Sequence, residues 1–282
     1  MTRTYLVTGA NSGFGRLVTQ KLIARGDRIA ALARRPEALD DLANSAGDRM
    51  IRLHMDLTDK ASIDAAIKKA FDRFGRIDVV LSNAGYGTFG AIEELTPDQI
   101  RRQIETNLTG TVLFTRSLLP HLRSQRGGRI LQVSSEGGRI SYPGFSTYHA
   151  SKWGQEGFVG AVAQEVASFG IDFCLIEPGP TETNFLTGID MGERIADYDG
   201  TPTAQLRDAL RSGGFDVPMG DAAKMAAEML ALADAETIPL RVAMGSVAFD
   251  NIERELKSRL ALIQTQKDLA YRCDQTSNGH RP

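Results

Sequence analysis

Seven short runs of β-favouring residues recur along this 282-residue chain with helical stretches between them, and this alternation constrains the fold more than any other feature. The runs are YLVT at 5–8, RIAALA at 28–33, MIRLH at 50–54, IDVVLS at 77–82, RILQVS at 129–134, IDFCLIE at 171–177 and LRVAM at 240–244. Each is apolar nearly throughout, the pattern of a strand covered on both faces. Helical periodicity fills the intervals at 15–25, 60–74, 97–108, 111–126 and 153–168, and resumes at 221–234 and 249–269. Strand and helix in strict turn require right-handed crossovers, hence a parallel seven-stranded sheet with helices on both faces. One domain is expected over residues 1–270, because α/β folds of this length put one sheet and its covering helices into a single core. Regularity breaks at GPTETNFLTGIDMGERIADYDGTPT, residues 179–203, rich in Gly, Thr and Asp. An irregular stretch of that length inside a compact domain is usually functional, so 184–214 reads as a substrate lid. Residues 271–282 read as a C-terminal tail, with TSNGHRP at its end expected to be disordered.

Charge and composition exclude several partners. Lys plus Arg number 33 and Asp plus Glu 35, a net charge of −2 without a basic run, which argues against nucleic acid and against an anionic membrane surface. No apolar run approaches the roughly 20 residues needed to span a bilayer, and MTRTYLVTGA passes from one arginine straight into a strand pattern, unlike a signal peptide. A cytoplasmic protein is expected. Cys174 and Cys273 form no CxxC pair, and His54, His121, His149 and His280 have no metal-like spacing, so no disulfide, no metal and no histidine chemistry is assigned.

In sheets of this kind ligands bind beyond the carboxyl ends of the strands. The first strand runs into TGANSGFG, residues 8–15, and then directly into a helix. Gly9, Gly13 and Gly15 permit a tight turn and close backbone approach, while the free N–H groups of the helix face any anion in the turn. Glycines are also common at plain strand-to-helix turns; the position after the first strand of an alternating chain favours a pyrophosphate and a doubly wound, Rossmann-type fold. The second strand ends in ALARRP, with Ala33 where an NAD-type site carries a carboxylate and with Arg34 and Arg35 following. A guanidinium fork suits a 2′-phosphate, and the missing carboxylate removes its repulsion. NADP(H) is therefore the expected cofactor, although two solvated arginines at a helix start have the same appearance.

Five motifs in order, TGANSGFG, NAG at Asn83 to Gly85, Asn107 with Ser135, YHASK at Tyr148 to Lys152, and PGPTET at Pro178 to Thr183, make the chain resemble the short-chain dehydrogenases/reductases over nearly its whole length. Ser135 precedes Tyr148 by 13 residues, the family's interval between catalytic serine and tyrosine. Ser82 departs from the frequent NNAG, and the segment after Thr183 matches no standard pattern; GDAAKMAAEMLALADAE and PLRVAMGS are similar to the branch related to 17β-hydroxysteroid dehydrogenases. The resemblance implies a catalytic set of Asn107, Ser135, Tyr148 and Lys152, with Lys152 also holding the nicotinamide ribose and Asn107, at a helix break, holding a water that links Lys152 to solvent. It further implies cofactor contacts from Gly9, Asn11, Ser12, Gly13, Phe14, Gly15, Asp56, Leu57, Asn83, Ala84, Gly85, Pro178, Gly179, Thr181 and Thr183, with Asp56 and Leu57 at the adenine and the two threonines at the carboxamide and phosphates. Homodimers or homotetramers built through long central helices are also implied.

The chemistry stands beside the resemblance. Hydride delivery to a ketone leaves charge on oxygen, so a site needs a donor that stabilises and then protonates it. Tyr148 is such an acid, and Lys152, four residues on and so on the same helix face, is expected to lower its pKa from about 10. Ser135, at the end of the fifth strand, can orient the same substrate oxygen. Phe145, Phe185, Leu186, Ile189 and Met191 offer apolar contact, pointing to a fairly hydrophobic small-molecule carbonyl or alcohol, although apolar lid residues also serve to pack a lid down. Two other readings remain open: a cofactor-binding sensor or scaffold without turnover, and an epimerase or dehydratase using the same Tyr/Lys pair.

Overall fold

The computed structural model describes residues 2–213 and 217–274. Among the described residues the main sheet contains seven of nine strands: β1 (Thr4–Thr8), β2 (Arg28–Ala33), β3 (Met50–His54), β4 (Val79–Ser82), β6 (Gly128–Val133), β7 (Ile171–Pro178) and β9 (Arg241–Met244). They are ordered β3-β2-β1-β4-β6-β7-β9, and every pair is parallel. All seven sequence runs are strands. Winding proceeds outward from β1 through β2 to β3, then reverses to β4, so the switch point lies between β1 and β4, where a doubly wound sheet opens a crevice at its carboxyl edge.

Alternation along each strand divides the core. Tyr5 and Val7 of β1, Ile29 and Ala31 of β2, and Cys174 and Ile176 of β7 face one layer, with α1 (Gly13–Arg25), α2 (Asp40–Ala46) and α9 (Ala222–Asp234). Leu6, Ala30, Phe173 and Leu175 face the other, with α3 (Lys60–Phe74), α5 (Gly110–Ser124) and α6 (Ser146–Val166). Both faces are covered, which is why the strands read as continuous apolar runs rather than alternating ones. α10 (Ser246–Gln264) and α11 (Lys267–Arg272) follow β9. Among the described residues no helix is long and apolar enough to cross a membrane. The expected disorder of 276–282 concerns residues outside those described.

Three local expectations are corrected. α6 begins at Ser146, not at 153, so YHASK lies within its first two turns. Helical periodicity at 97–108 resolves into α4 (Pro97–Ile104), capped by Thr96 and Gln99, followed by a π turn over Glu105–Thr109. The irregular 179–203 stretch contains regular pieces: α7 (Asn184–Thr187), β8 (Asp190–Met191) and the start of α8 (Pro202–Ser212). β8 pairs in parallel with β5 (Thr88–Phe89), matching Thr88 with Asp190 and Phe89 with Met191. Buried Glu94 fastens this segment further, accepting from the Ala91 and Ile195 N–H groups at 2.7 and 3.0 Å and pairing with buried Arg207 of α8. Long-range pairs of this kind leave no periodicity for a sequence pattern to show. The last lid residue, 214, is outside the described residues.

Candidate active site

At the carboxyl end of β1 the chain turns through Gly9 and Gly13, both at positive φ (64° and 50°), and enters α1. A Cβ on Gly15 would lie 2.3 Å from the Gly9 carbonyl oxygen, and one on Gly9 would lie 2.9 Å from the Asn83 amide nitrogen, so both positions admit only glycine. Ser12 makes no side-chain cap, and the first turn of α1 holds no acidic residue, which leaves its N–H groups and positive dipole end suited to an anion. Thr183 stands across the turn, 3.9 Å from where a Gly13 Cβ would be. These features fit a dinucleotide pyrophosphate.

Thr8 links this turn to the next strand. Its hydroxyl accepts from the N–H groups of Asn83 and Ala84 (2.8 and 2.9 Å), and the Asn83 amide donates to the Thr8 carbonyl at 3.1 Å. Sequence reasoning gave Thr8, the first residue of TGANSGFG, no role of its own, yet it holds NAG against the glycine turn. Ala33 is buried at the end of β2, while Arg34 and Arg35 are exposed beyond it. Burial raises the Asp56 carboxyl, but the Thr58 N–H and hydroxyl, with Arg34 and His54 nearby, hold it net below its usual range. Leu57 is buried under the start of α5, where a Cβ on Gly110 would collide with it. Pro178 ends β7, the Gly179 N–H donates to the Met244 carbonyl (3.0 Å), Thr181 is buried, and the Thr183 hydroxyl caps α7.

The four expected catalytic residues come together at the same edge. Ser135, half-buried just past β6, caps a short 3-10 turn by accepting from the Gly137 N–H at 3.0 Å. Tyr148 is buried in the first turn of α6, its ring 5.4 Å from that of Phe185 and 5.9 Å from that of Phe145. Phe185 in turn covers Gly87, where a Cβ would meet its ring at 2.8 Å. Met191 pairs with Phe89 in the β5–β8 ladder, and Leu186 and Ile189 are half-buried on the same segment.

The expected effect of Lys152 on Tyr148 is not found. Burial pushes the phenol up to about 12; a Ser135 hydroxyl interaction lowers it, and the Glu136 carboxylate raises it further. Lys152 lies 5.8 Å from the centre of the Tyr148 ring, and its ammonium is directed elsewhere, to the Val133 carbonyl at 2.9 Å and the Gln155 amide oxygen at 3.3 Å. Burial pushes Lys152 down to about 8, with Glu156 opposing. Asn107, fully buried in the π turn, accepts from the Tyr86 N–H (3.1 Å) and donates to the Tyr86 carbonyl (2.8 Å) and the Ser151 hydroxyl (3.3 Å). Its own carbonyl accepts from Gln155 and from the Thr111 hydroxyl. The link from Asn107 to Lys152 is thus a side chain, Gln155, that sequence reasoning passed over.

His149 has no assigned chemistry, but it does have a structural part. Its Nε2 accepts from the Tyr142 N–H at 2.8 Å, so Nδ1 carries the proton and donates to the Gly137 carbonyl at 2.7 Å. Burial lowers its pKa, consistent with a neutral ring that ties α6 to the turn carrying Ser135.

Comparison with known proteins gives four concordant findings. The family described as short chain dehydrogenase matches residues 3–193. Oxidoreductase BOA17 of Botryotinia fuckeliana is 37% identical over 252 residues, covering 89% of this chain and 91% of that protein. A short-chain dehydrogenase structure from Streptomyces avermitilis superposes with a TM-score of 0.88 at 36% identity, covering 97% of this chain and 98% of the other. A 3-ketoacyl-(acyl-carrier-protein) reductase from Brucella melitensis, complexed with NADH, gives 0.72 at 25% identity, covering 86% and 95%.

Proposed function

The chain belongs to the short-chain dehydrogenase family, and on that footing we propose that it is an NADP(H)-dependent oxidoreductase interconverting a carbonyl and a secondary alcohol, with Tyr148 as general acid/base, on a fairly hydrophobic substrate. The observation that carries this reading is the buried Tyr148 phenol, beside Ser135 and Lys152 and walled by Phe145 and Phe185. When bound, the nicotinamide supplies or accepts the hydride.

The residues of this chain do the rest. Gly9, Gly13, Gly15 and the first turn of α1 hold the pyrophosphate, and Thr183 lies beside them. Ser135 orients the substrate oxygen. Tyr148, with its pKa near 12, is protonated at neutral pH, the form that protonates an alkoxide during carbonyl reduction. Phe145 and Phe185 keep water from that oxygen and favour an apolar substrate body. The Brucella relative holds NADH, so the choice of NADP(H) rests on exposed Arg34 and Arg35 beyond a strand that ends in Ala33.

Tyr148→Phe tests the mechanism. NADPH binding, followed by fluorescence, is retained, while turnover across a panel of hydrophobic ketones falls by about 100- to 10,000-fold; full turnover overturns the reading. Arg34→Ala tests the cofactor, with the preference for NADPH over NADH expected to fall about tenfold through loss of one charge-assisted hydrogen bond. An unchanged preference removes Arg34 from that role.

A further inference from the structure

Gln155 is fully buried on α6, three residues beyond Lys152, and every polar atom of its amide is engaged. Its Oε1 accepts from the Lys152 ammonium at 3.3 Å, and its Nε2 donates both to the Asn107 carbonyl and to the Thr111 hydroxyl, the latter at 3.1 Å. Thr111 in turn donates to the same Asn107 carbonyl at 2.7 Å. The Asn107 carbonyl thus receives side-chain donors from both α5 and α6.

We propose that Gln155 is a positioning residue of the active site: its amide takes the bridging place between the π-turn carbonyl of Asn107 and the ammonium of Lys152 and fixes where that ammonium sits, 5.8 Å from the centre of the Tyr148 ring. The inference rests on the reading of Lys152 as part of the catalytic set. A glutamine fits the place because its amide offers an acceptor to the cation and a donor to the carbonyl at once, at a fixed separation. Leucine or methionine there would leave Lys152 with the Val133 carbonyl as its remaining hydrogen-bond partner and would remove one side-chain donor from the Asn107 carbonyl. The arrangement also makes Lys152 sensitive to this position, because a buried ammonium depends on the acceptors it retains.

The groups that face Lys152 are few. Glu156, one turn along α6, favours the charged form. Tyr148 shares its helix face; β6 presents the Val133 carbonyl, and Gln155 links it to the π turn, which presents Asn107; neither of these titrates. Glu136, near Tyr148, lies on the 3-10 turn after β6. A change confined to Gln155 therefore reads out through Lys152 itself.

The test follows the titration of Lys152 by lysine-selective 13C NMR in the cofactor-free protein, with a Lys152→Met spectrum assigning the resonance. Gln155→Met is expected to lower the midpoint of Lys152 by about one pH unit, the size of one hydrogen bond to a charged group, and Gln155→Glu to raise it, because a carboxylate replaces the neutral acceptor. A purely structural role predicts loss of thermal stability in both variants with no opposed shifts. An unmoved midpoint in Gln155→Met overturns the proposal; where that variant fails to fold, a midpoint in Gln155→Glu at or below that of the native protein does the same. Turnover separates the two readings: shifted midpoints with undiminished turnover in Tyr148→Phe leave Gln155 as the anchor of Lys152 while the catalytic reading falls, and the converse result does the reverse.

Discussion

Along α6 the buried face changes character near Gly157. Before it stand Thr147, Tyr148, His149, Ser151, Lys152, Gln155 and Glu156; after it stand Val159, Val162 and Val166. The valines need only neighbours of matching shape, and they find them in the layer built from Phe114, Leu118, Leu122 and Ile130. The polar half needs a chemical partner for each group, since an unpaired buried polar atom costs about 1–3 kcal/mol. Partners come from four separate parts of the chain: the Thr88 hydroxyl for Thr147, the Gly137 carbonyl for His149, the Val133 carbonyl for Lys152, and Arg241 of β9 for Glu156. One helix therefore serves as scaffold at one end and as the wall of the proposed site at the other. The proposed chemistry falls where burial is most costly.

This contrast can be broken by substitution in either half. The largest effect is expected at Tyr148→Phe, where the loss of turnover described above comes with a melting temperature within about 2 °C of the native value, because removing one hydroxyl leaves the ring packing intact. A large drop in melting temperature would show that the polar half carries stability after all. Next is Val159→Ala, fully buried in the apolar half. It is expected to cost about 1–3 kcal/mol by denaturant unfolding with kcat unchanged, and a loss of kcat without a loss of stability would invert the comparison.

The smallest effect lies in the pH dependence of stability. Burial holds folded Lys152 near 8, below its unfolded value of about 10.4. Between those values the unfolded chain binds the extra proton, so the Lys152 contribution rises with pH across that window, by about 1 kcal/mol per unit near pH 9. Tyr148, raised to about 12 from about 10, acts oppositely above pH 10, because the folded state then keeps the proton. Lys152→Met should lack the rise between pH 8 and 10 when unfolding is followed by urea titration at several pH values. The same rise in both proteins would mean that Lys152 titrates normally in the folded state.

Legibility follows the same division. The seven strands and the glycine turn were readable because their cause is local: burial on both faces writes a continuous apolar run, and a positive φ beside a close backbone contact calls for glycine at Gly9. The start of α6 has a polar buried face and shows no apolar period, so periodicity marks the helix only from 153, close to where the valines begin, while the spacing of Tyr148 and Lys152 alone puts that pair on a helix face. The order within 184–213 escapes a sequence pattern for a related reason. β5 and β8 are two residues each, and the Glu94–Arg207 pair joins positions 113 apart, so nothing local marks them.

From the sequence alone came the fold class, the family resemblance, the turn that suits a pyrophosphate, and the identities of Ser135, Tyr148 and Lys152, all carried by short motifs and their spacing. The tertiary structure alone decided strand order, the partners of the buried polar half of α6, the burial that raises Tyr148 and lowers Lys152, and the amide of Gln155 between Asn107 and Lys152. The physical reason is range. Periodicity and backbone conformation are properties of neighbouring residues, whereas desolvation and hydrogen-bond partnership depend on what the folded chain brings alongside from far away.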